Sequence, residues 1–395
     1  MRIAILCETF APEMGYLTNT LPKYLARAGV DVHVISLGLA PYFRTPDLPP
    51  FITAQALTAG HTRSLDGFQL HVIEHGLLGR YPYAKGLRRC LAELRPDIVY
   101  SIGAIGFLPL QAALALPRLK YKLYTGNHTS AEAFPLARQP RAWLSPALLQ
   151  AFVTRWLPGR LTSLVTERCY CRTTGCGEIA SRFYGVQPNK VRVVPLGIDT
   201  DFFFPVASDA LRHERESLRG ELGFSRDDIV CINTGRMVAA KELSLLVDAI
   251  TRLRAKGLPF RGLFIGDGPE RTRLTAADSC FVLPFVPFKQ LATYYRASDI
   301  AVWPAGESTS MFDATACGLP LIVSDAIDAH LNGNGLAFRA HDLDALVAAL
   351  AEFSDPARRA SAGHAGSQQI REQLDCRHAA AVRMHDFCQA LGENV

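Results

Sequence analysis

Residues 301–325 read AVWPAGESTSMFDATACGLPLIVSD. A short apolar run ends in a polar loop with acids at Glu307 and Asp313. A small-residue helical stretch follows, and Gly318-Leu319-Pro320 leads into a second apolar run. This is a strand–loop–helix–strand layout, so the loop sits at the carboxyl end of its strand, the edge where open α/β sheets bind ligands. An acid there can accept hydrogen bonds from sugar or ribose hydroxyls, and free amides at the helix start suit a phosphate. The combination suits a nucleotide-sugar.

The same alternation runs through the chain. In the first half, strands are predicted at Arg2–Cys7, Val30–Leu37, Phe68–Glu74, Asp97–Ser101, Lys122–Thr125 and Ser163–Val165. Helices fall between most of them, among them Thr18–Ala28, which Gly29 ends. Lys190–Pro205 (KVRVVPLGIDTDFFFP) is a strand followed by a Pro/Gly-rich segment and reads as an interdomain linker. Alternation then restarts with strands at Ile229–Asn233, Gly262–Ile265, Phe281–Leu283, Ile300–Trp303 and Leu319–Val323, and helices that include Glu242–Lys256 and Leu291–Ala297. From Ala340 onward the pattern is almost all helical. Strands alternating with helices predict an α/β fold with parallel sheets, and right-handed crossovers place the loop ends on one edge.

Bulk properties narrow the partners. The 395 residues are 49% hydrophobic and 20% charged, enough for two domains with substantial cores. The net charge of +5 comes from scattered arginines, so strong nucleic-acid binding is not implied, while a nucleotide phosphate or an anionic membrane surface is compatible. Of ten cysteines, the tightest cluster is Cys169, Cys171 and Cys176. Its spacing is not that of paired CxxC zinc motifs, so no metal site is expected and a reducing cytoplasm is the simpler setting. Met1-Arg2 leads directly into IAILCETF, too short for a signal peptide core. The longest apolar stretch, Ile102–Leu119, contains Pro109, Gln111 and Pro117 and reads as a buried helix.

Several loops carry residues suited to chemistry. Gly235-Arg236-Met237-Val238-Ala239-Ala240-Lys241 sets two cations on a loop between a strand and a helix. A guanidinium and an ammonium can neutralise a diphosphate without a metal, and a lysine near a helix start opposes the helix dipole and so needs a reason. A surface Arg and a helix-start Lys are the plain alternative. Gly266-Asp267-Gly268-Pro269-Glu270 also follows a strand; a tight turn suffices to explain it. Gly15, after the first strand, could bring backbone amides near a phosphate, but no GxGxxG is present and a dinucleotide cofactor is not supported. His128, just after another strand, could bond sugar hydroxyls or stabilise developing charge; a loop histidine bonded to backbone fits its spacing better. Trp143–Leu157 places Leu144, Leu148, Phe152 and Trp156 at a four-residue step amid Arg138, Arg141, Arg155 and Arg160. A helix packed on its own sheet is the preferred explanation, and a basic helix resting on a membrane interface is the other.

Taken in order, these motifs resemble the family 4 retaining glycosyltransferases of the GT-B fold. The resemblance runs through the opening strand and Gly15 loop, NHTS, VRVVPLGIDTDFF, GRMVAAKE, IGDGPE, ACGLPLIVSD, NGNGLAF at Asn332–Phe338 and the DPARR helix start near Asp355. It implies two Rossmann-like domains facing across a cleft: residues 1–200 on the acceptor side, residues 201–372 binding the nucleotide-sugar, and residues 373–395 returning as a helix to the first domain. It implies that Arg236 and Lys241 hold the donor diphosphate, that Gly15 approaches it from the other domain, and that His128 lies near the donor sugar. Gly235, Gly266, Glu307, Ser308, Thr309, Ser310, Met311 and Asp313 then make up the rest of the donor site. In place of the family's two glutamates separated by seven residues, this chain has Ala305 where the first should fall. Either Glu307 on a shortened loop takes that role, which is the preferred reading because Ser308, Thr309 and Ser310 still supply a small polar turn, or the acid contact is lost; Asp313, with a shorter reach toward the ribose, takes the second.

The implied activity is metal-independent, retaining transfer of a hexosyl group from a UDP- or GDP-sugar, with no cofactor. The acceptor is expected to be a carbohydrate or lipid-linked hydroxyl, in bacterial surface polysaccharide or glycolipid assembly. The expected place is the cytoplasm, including the inner face of the cell membrane through peripheral contact. A nucleotide-sugar epimerase, or an inactive nucleotide-sugar-binding protein on the same scaffold, is the alternative that the altered acid loop raises.

Overall fold

A computed structural model describes residues 1–41, 50–54, 56–79, 81–129, 134, 146–327, 329 and 331–393. The chain divides into two units, Met1–Gly197 with Cys376–Val395, and Ile198–Asp375. The first changeover falls inside the Pro/Gly-rich segment Lys190–Pro205.

The first unit contains β1 (Arg2–Thr9), β2 (Asp31–Leu39), β3 (Thr62–Leu65), β4 (Phe68–Val72), β5 (His75–Leu78), β6 (Tyr81–Ala84), β7 (Ile98–Ser101), β8 (Lys122–Asn127), β9 (Thr166–Cys171) and β10 (Val191–Val193). Eight of them form one sheet in the order β10-β9-β8-β7-β1-β2-β4-β3, and β5 and β6 make a separate hairpin. All neighbours in the large sheet run parallel except β3, which lies antiparallel on β4. The second unit contains β11 (Ile229–Thr234), β12 (Phe260–Ile265), β13 (Cys280–Leu283), β14 (Ile300–Trp303), β15 (Leu321–Ser324) and β16 (Gly335–Phe338). They form a wholly parallel sheet in the order β13-β12-β11-β14-β15-β16.

These strands read as continuous apolar runs because helices cover both faces of each sheet. In β11, Val230 and Ile232 face one core while Ile229 and Cys231 face another. In β1, Ile3, Ile5 and Cys7 separate in the same way from Ala4 and Leu6. Each fully buried side chain of this size stabilises the fold by roughly 1.5–3 kcal/mol. Helix starts are closed by side chains: Thr173 accepts from the Cys176 amide, Ser208 from Leu211, Asp342 from Ala345 and Asp355 from Ala357. Cys169, Cys171 and Cys176 are buried together with Ala180 and Val186, as small hydrophobes.

Two expectations are corrected. Ser163–Val165 is the last turn of the helix Leu157–Val165, and the strand is the following segment, Thr166–Cys171. Lys190 anchors that helix end, donating from Nζ to the carbonyls of Ser163 and Leu164 at 2.7 and 3.2 Å. The amphipathic segment is also not buried on its own sheet. Pro146–Ala151, a π turn at Phe152–Trp156 and Leu157–Val165 form a helical run. Leu149, Phe152, Val153, Leu157, Leu161 and Leu164 are exposed along it. Pro158 has no N–H to donate, and the wide turn precedes it. Trp143, Leu144, Arg138 and Arg141 lie outside the described residues.

Candidate active site

The strand order of the second unit changes direction between β11 and β14. Their ladder pairs only Cys231 with Ile300 and Ile232 with Ala301. Beyond it the side chain of Asn233 bridges the strands, donating from Nδ2 to the Val302 carbonyl at 2.7 Å. Crossovers depart in opposite directions from such a point and leave a crevice at the carboxyl ends of the strands.

Three loops build the rim of this crevice. After β11, Gly235 has φ +136°, and after β12, Gly266 and Gly268 have φ +150° each. The loops touch backbone to backbone. Gly235 donates to the Ile265 carbonyl at 2.9 Å, Met237 to Asp267 at 2.8 Å, and Glu270 back to Met237 at 3.0 Å. A Cβ at Gly266 would fall on the Gly235 carbonyl, and one at Gly268 on that of Met237. These glycines are therefore required by close approach as well as by φ, more than a tight turn alone would ask.

Lys241 ends a 3-10 turn, Ala239–Lys241, ahead of the helix Leu243–Ala255. Its Nζ reaches the loop after β14 and donates to the carbonyls of Gly306 and Glu307 at 2.8 and 3.0 Å. Gly306, at φ +68°, permits this, since a Cβ there would meet Nζ at 2.9 Å. The lysine thus has its reason: it fixes the acid-bearing loop against the glycine loop while placing positive charge at the crevice. Arg236 is exposed on the same glycine loop. Two cations on one loop can neutralise a diphosphate.

The helix Ser310–Ala316 departs from expectation in two respects. The amides of Ser310, Met311 and Phe312 turn onto Ser308 Oγ, the Ser308 carbonyl and the Thr309 carbonyl at 3.3, 3.3 and 3.0 Å, so the helix start does not offer them to a phosphate. Asp313 is buried, and burial, with the nearby Asp199 as second cause, raises its carboxyl well above the ordinary range. Burial thus disfavours its charged form. Glu307 and Thr309 are exposed, and Ser308 and Ser310 are half-buried. Met311 is buried under the loop.

The first unit has a crevice at the corresponding place, where its order changes between β1 and β7. A cavity of about 260 Å³ opens there, lined by Glu8 and Thr9 at the end of β1, Ser101 at the end of β7 and Gly103 beyond it, and Asn127 at the end of β8 with His128 and Thr129 beyond it. Asn127 positions the histidine. Its Nδ2 donates to the Cys176 carbonyl at 2.8 Å and its Oδ1 accepts from the Thr129 amide at 3.2 Å, pinning the residues on either side of His128. Both imidazole nitrogens are buried, and neither has a partner among the described residues, so the backbone-bonded reading of this histidine does not hold. Burial, reinforced by the positive charges of Arg383 and Arg172, pushes the ring down to about 4. A neutral imidazole can give one hydrogen bond and take another, which matches a sugar hydroxyl.

Gly15 lies in the turn before the helix Leu17–Arg27 of the same unit. Sequence reasoning missed Glu8, Thr9, Ser101 and Asn127, although each ends a readable strand. It also missed Arg383, which is fully buried, donates to the Ala379 carbonyl at 2.7 Å and lies 4.9 Å from the Tyr170 ring. No local pattern marks a residue that reaches its neighbours from the last helix.

Known protein families match both halves of the chain. A family model described as Glycosyltransferase Family 4 matches residues 14–202, and one described as Glycosyl transferases group 1 matches residues 228–355. The D-inositol 3-phosphate glycosyltransferase of Xylanimonas cellulosilytica is 30% identical over 404 residues, covering 95% of this chain and 91% of the relative. The alpha-monoglucosyldiacylglycerol synthase of Acholeplasma laidlawii is 23% identical, covering 87% and 86%. For some other relatives the chain spans less than half of their own length. The sucrose-phosphate synthase of Thermosynechococcus elongatus superposes with a TM-score of 0.69 at 16% identity, over 99% of both chains, and shares the GT-B fold. With both halves matched in order and one relative aligned nearly end to end, the chain belongs to the group 1 and family 4 glycosyltransferases.

Proposed function

We propose that the protein transfers a hexosyl group from a UDP- or GDP-sugar to an acceptor hydroxyl with retention of configuration and without a metal. The observation that carries this reading is the Lys241 ammonium, held 2.8 Å from the Gly306 carbonyl where the loops after β11, β12 and β14 meet at the carboxyl ends of their strands. Lys241 and Arg236 stabilise the departing diphosphate, and positioning of donor and acceptor supplies the rest of the acceleration. The departing phosphate takes the acceptor proton. His128 bonds a sugar hydroxyl as a neutral ring. Glu307 and the Ser308–Ser310 hydroxyls contact the sugar, and Asp313 acts at the ribose.

The acceptor in this reading is carried on a lipid or a growing surface polysaccharide, with the enzyme docked peripherally on the cytoplasmic face of the membrane. Supporting it are the exposed apolar residues of Pro146–Val165, with Leu114 on the contacting helix Phe107–Leu119 and the exposed Arg118 and Lys120 at that helix's end. Leu77 and Leu78 on the β5–β6 hairpin are exposed too, and the hairpin is tied to the π turn by Tyr81 Oη donating to Thr154 Oγ1 at 3.2 Å. Among the described residues no helix is long and apolar enough to cross a membrane.

Incubation with a panel of UDP- and GDP-sugars, with and without lipid-linked and free sugar acceptors, tests the activity. One donor should raise the melting temperature and be consumed, and the product should keep the donor's anomeric configuration by NMR. An inverted product refutes retention, and epimerised sugar nucleotide formed without acceptor refutes transfer. Cosedimentation with anionic vesicles at low salt tests docking; recovery only in the supernatant refutes it.

A further inference from the structure

Two histidines face each other in the outer part of the first sheet, and neither lines the cavity at His128. His33 lies on β2 and His71 on β4, with His33 Nδ1 2.9 Å from His71 Nε2. His33 Nε2 is 3.1 Å from Asp31 Oδ1, and His71 Nδ1 is 3.2 Å from Thr62 Oγ1 on β3. Arg2 on β1 holds the other oxygen of Asp31. A line of side-chain bonds thus crosses four neighbouring strands.

The directions of these bonds follow from its end. Asp31 stays acidic despite burial, because Arg2 and His33 bond it. An ionised carboxylate only accepts, so His33 Nε2 carries the proton. Nδ1 of that neutral ring is then bare and accepts from His71 Nε2. His71 Nδ1 is bare in turn and accepts from the Thr62 hydroxyl. With both rings neutral, each of these groups is satisfied. One proton can enter at His71 Nδ1, because the Thr62 hydroxyl rotates and accepts. A second has only His33 Nδ1, which faces the N–H of His71. Two donors would then meet at 2.9 Å, and the bond between the rings has to break.

The surroundings do not relieve this. Burial is the first cause lowering both histidines; Asp31 raises His33, Arg2 lowers it, and His33 lowers His71. Asp97 is taken up by the Arg2 amide. Helix Leu87–Leu94 covers this face of the sheet and turns Cys90 toward it, a thiol pushed up by burial, while Arg88, Arg89 and Glu93 are exposed. On β3, Thr62 and Ser64 share the face of His71, and Arg63 alternates to the other.

β4 is anchored, since Phe68, Leu70 and Val72 are buried. β3 is not: Thr62, Arg63 and Ser64 are exposed and Leu65 is half-buried. Its ladder with β4 and the Thr62–His71 bond hold it. We propose that the histidine pair is a proton-operated fastener for this edge strand. It keeps β3 on β4 while the pair carries no more than one added proton, and it lets β3 part when both rings are charged, which uncovers the outer N–H and C=O groups of β4. This inference does not depend on the transferase reading.

Hydrogen–deuterium exchange of the full chain, read by mass spectrometry at about pH 7 and pH 5 and corrected for the chemical exchange rate, follows the edge. A peptide spanning Thr62–Leu65 should lose protection about tenfold or more, because each proton taken up on opening shifts the equilibrium about tenfold per pH unit. Peptides from β7 and β11 should keep theirs. His71→Gln and His33→Gln each leave an uncharged hydrogen-bonding amide in the line, and either should remove the pH dependence. By NMR the rings of His33 and His71 should titrate in two separated steps in the wild type. The proposal is overturned if Thr62–Leu65 is equally protected at both pH values, if the variants lose protection as the wild type does, or if β7 and β11 loosen in step with β3. Whatever the variants do, a single shared titration step of the two rings overturns it too.

Discussion

The two units solve the same topological problem with opposite chemistry. Each has a parallel sheet whose order turns back at one point, and each opens a crevice there. In the second unit the crevice is formed by interlocked glycine loops with Arg236 and Lys241 beside them. In the first it is lined by hydroxyls, an amide, the Glu8 carboxylate and a histidine held neutral. A shared fold fixes where a ligand goes, and the side chains at the strand ends decide whether it is an anion or a polyol.

The comparison breaks most readily at the cations. Lys241→Ala and Arg236→Ala are expected to cut turnover by at least about a hundredfold, the usual effect of losing one charge stabiliser, with the melting temperature little changed. Near-normal steady-state rates in both variants would erase the chemical contrast between the units. Next comes the glycine seam. Gly266→Ala should destabilise the protein by about 2 kcal/mol or more in urea unfolding, because its Cβ falls on the Gly235 carbonyl. An unchanged midpoint would mean that the loops separate at little cost.

The neutral site is probed by His128. His128→Ala should lower turnover about tenfold, the loss of a single hydrogen bond to substrate. The ring's value near 4 lies below the ordinary 6.5, so on acidification the unfolded chain takes up its proton first. The histidine's contribution to stability is therefore complete above about pH 6.5 and is lost as pH falls from there toward 4. His33 and His71, also lowered chiefly by burial, tilt the curve in the same direction. The measurable quantity is thus the difference between wild type and His128→Gln, whose urea midpoint should fall less over that window. Equal slopes would contradict a buried neutral ring. The smallest effect is expected at Asp313. Because burial favours its protonated form, it should tolerate Asp313→Asn with a stability change below about 1 kcal/mol at pH 7, whereas an ionised, paired carboxylate would lose several.

Much of the sheet architecture was legible because parallel strands buried on both faces leave apolar runs such as Ile229–Asn233 and Ile300–Trp303. The β5–β6 hairpin was not, since HGLL and YPYA carry no such run and stand apart from the large sheet. Ser163–Val165 misled because its helical state is set by contacts such as that of Lys190, 27 positions from Ser163. At the site, the glycines and cations could be read from strand-end loops. The bond from Lys241 to Gly306 spans 65 positions, and the burial that disfavours the charged forms of Asp313 and His128 depends on residues brought together only by folding.

The last helix, Cys376–Leu391, has a practical consequence. Phe387 and Ala380 complete the core of the first unit, and Tyr170 donates to the Asp386 carboxylate at 2.8 Å. A fragment ending at Gly197 would lack that piece and expose the surface it covers, whereas 198–375 is contiguous and can be excised whole. Expression of the separated halves should accordingly be asymmetric, and a fusion partner appended after Val395 is tethered to the unit that begins with Met1.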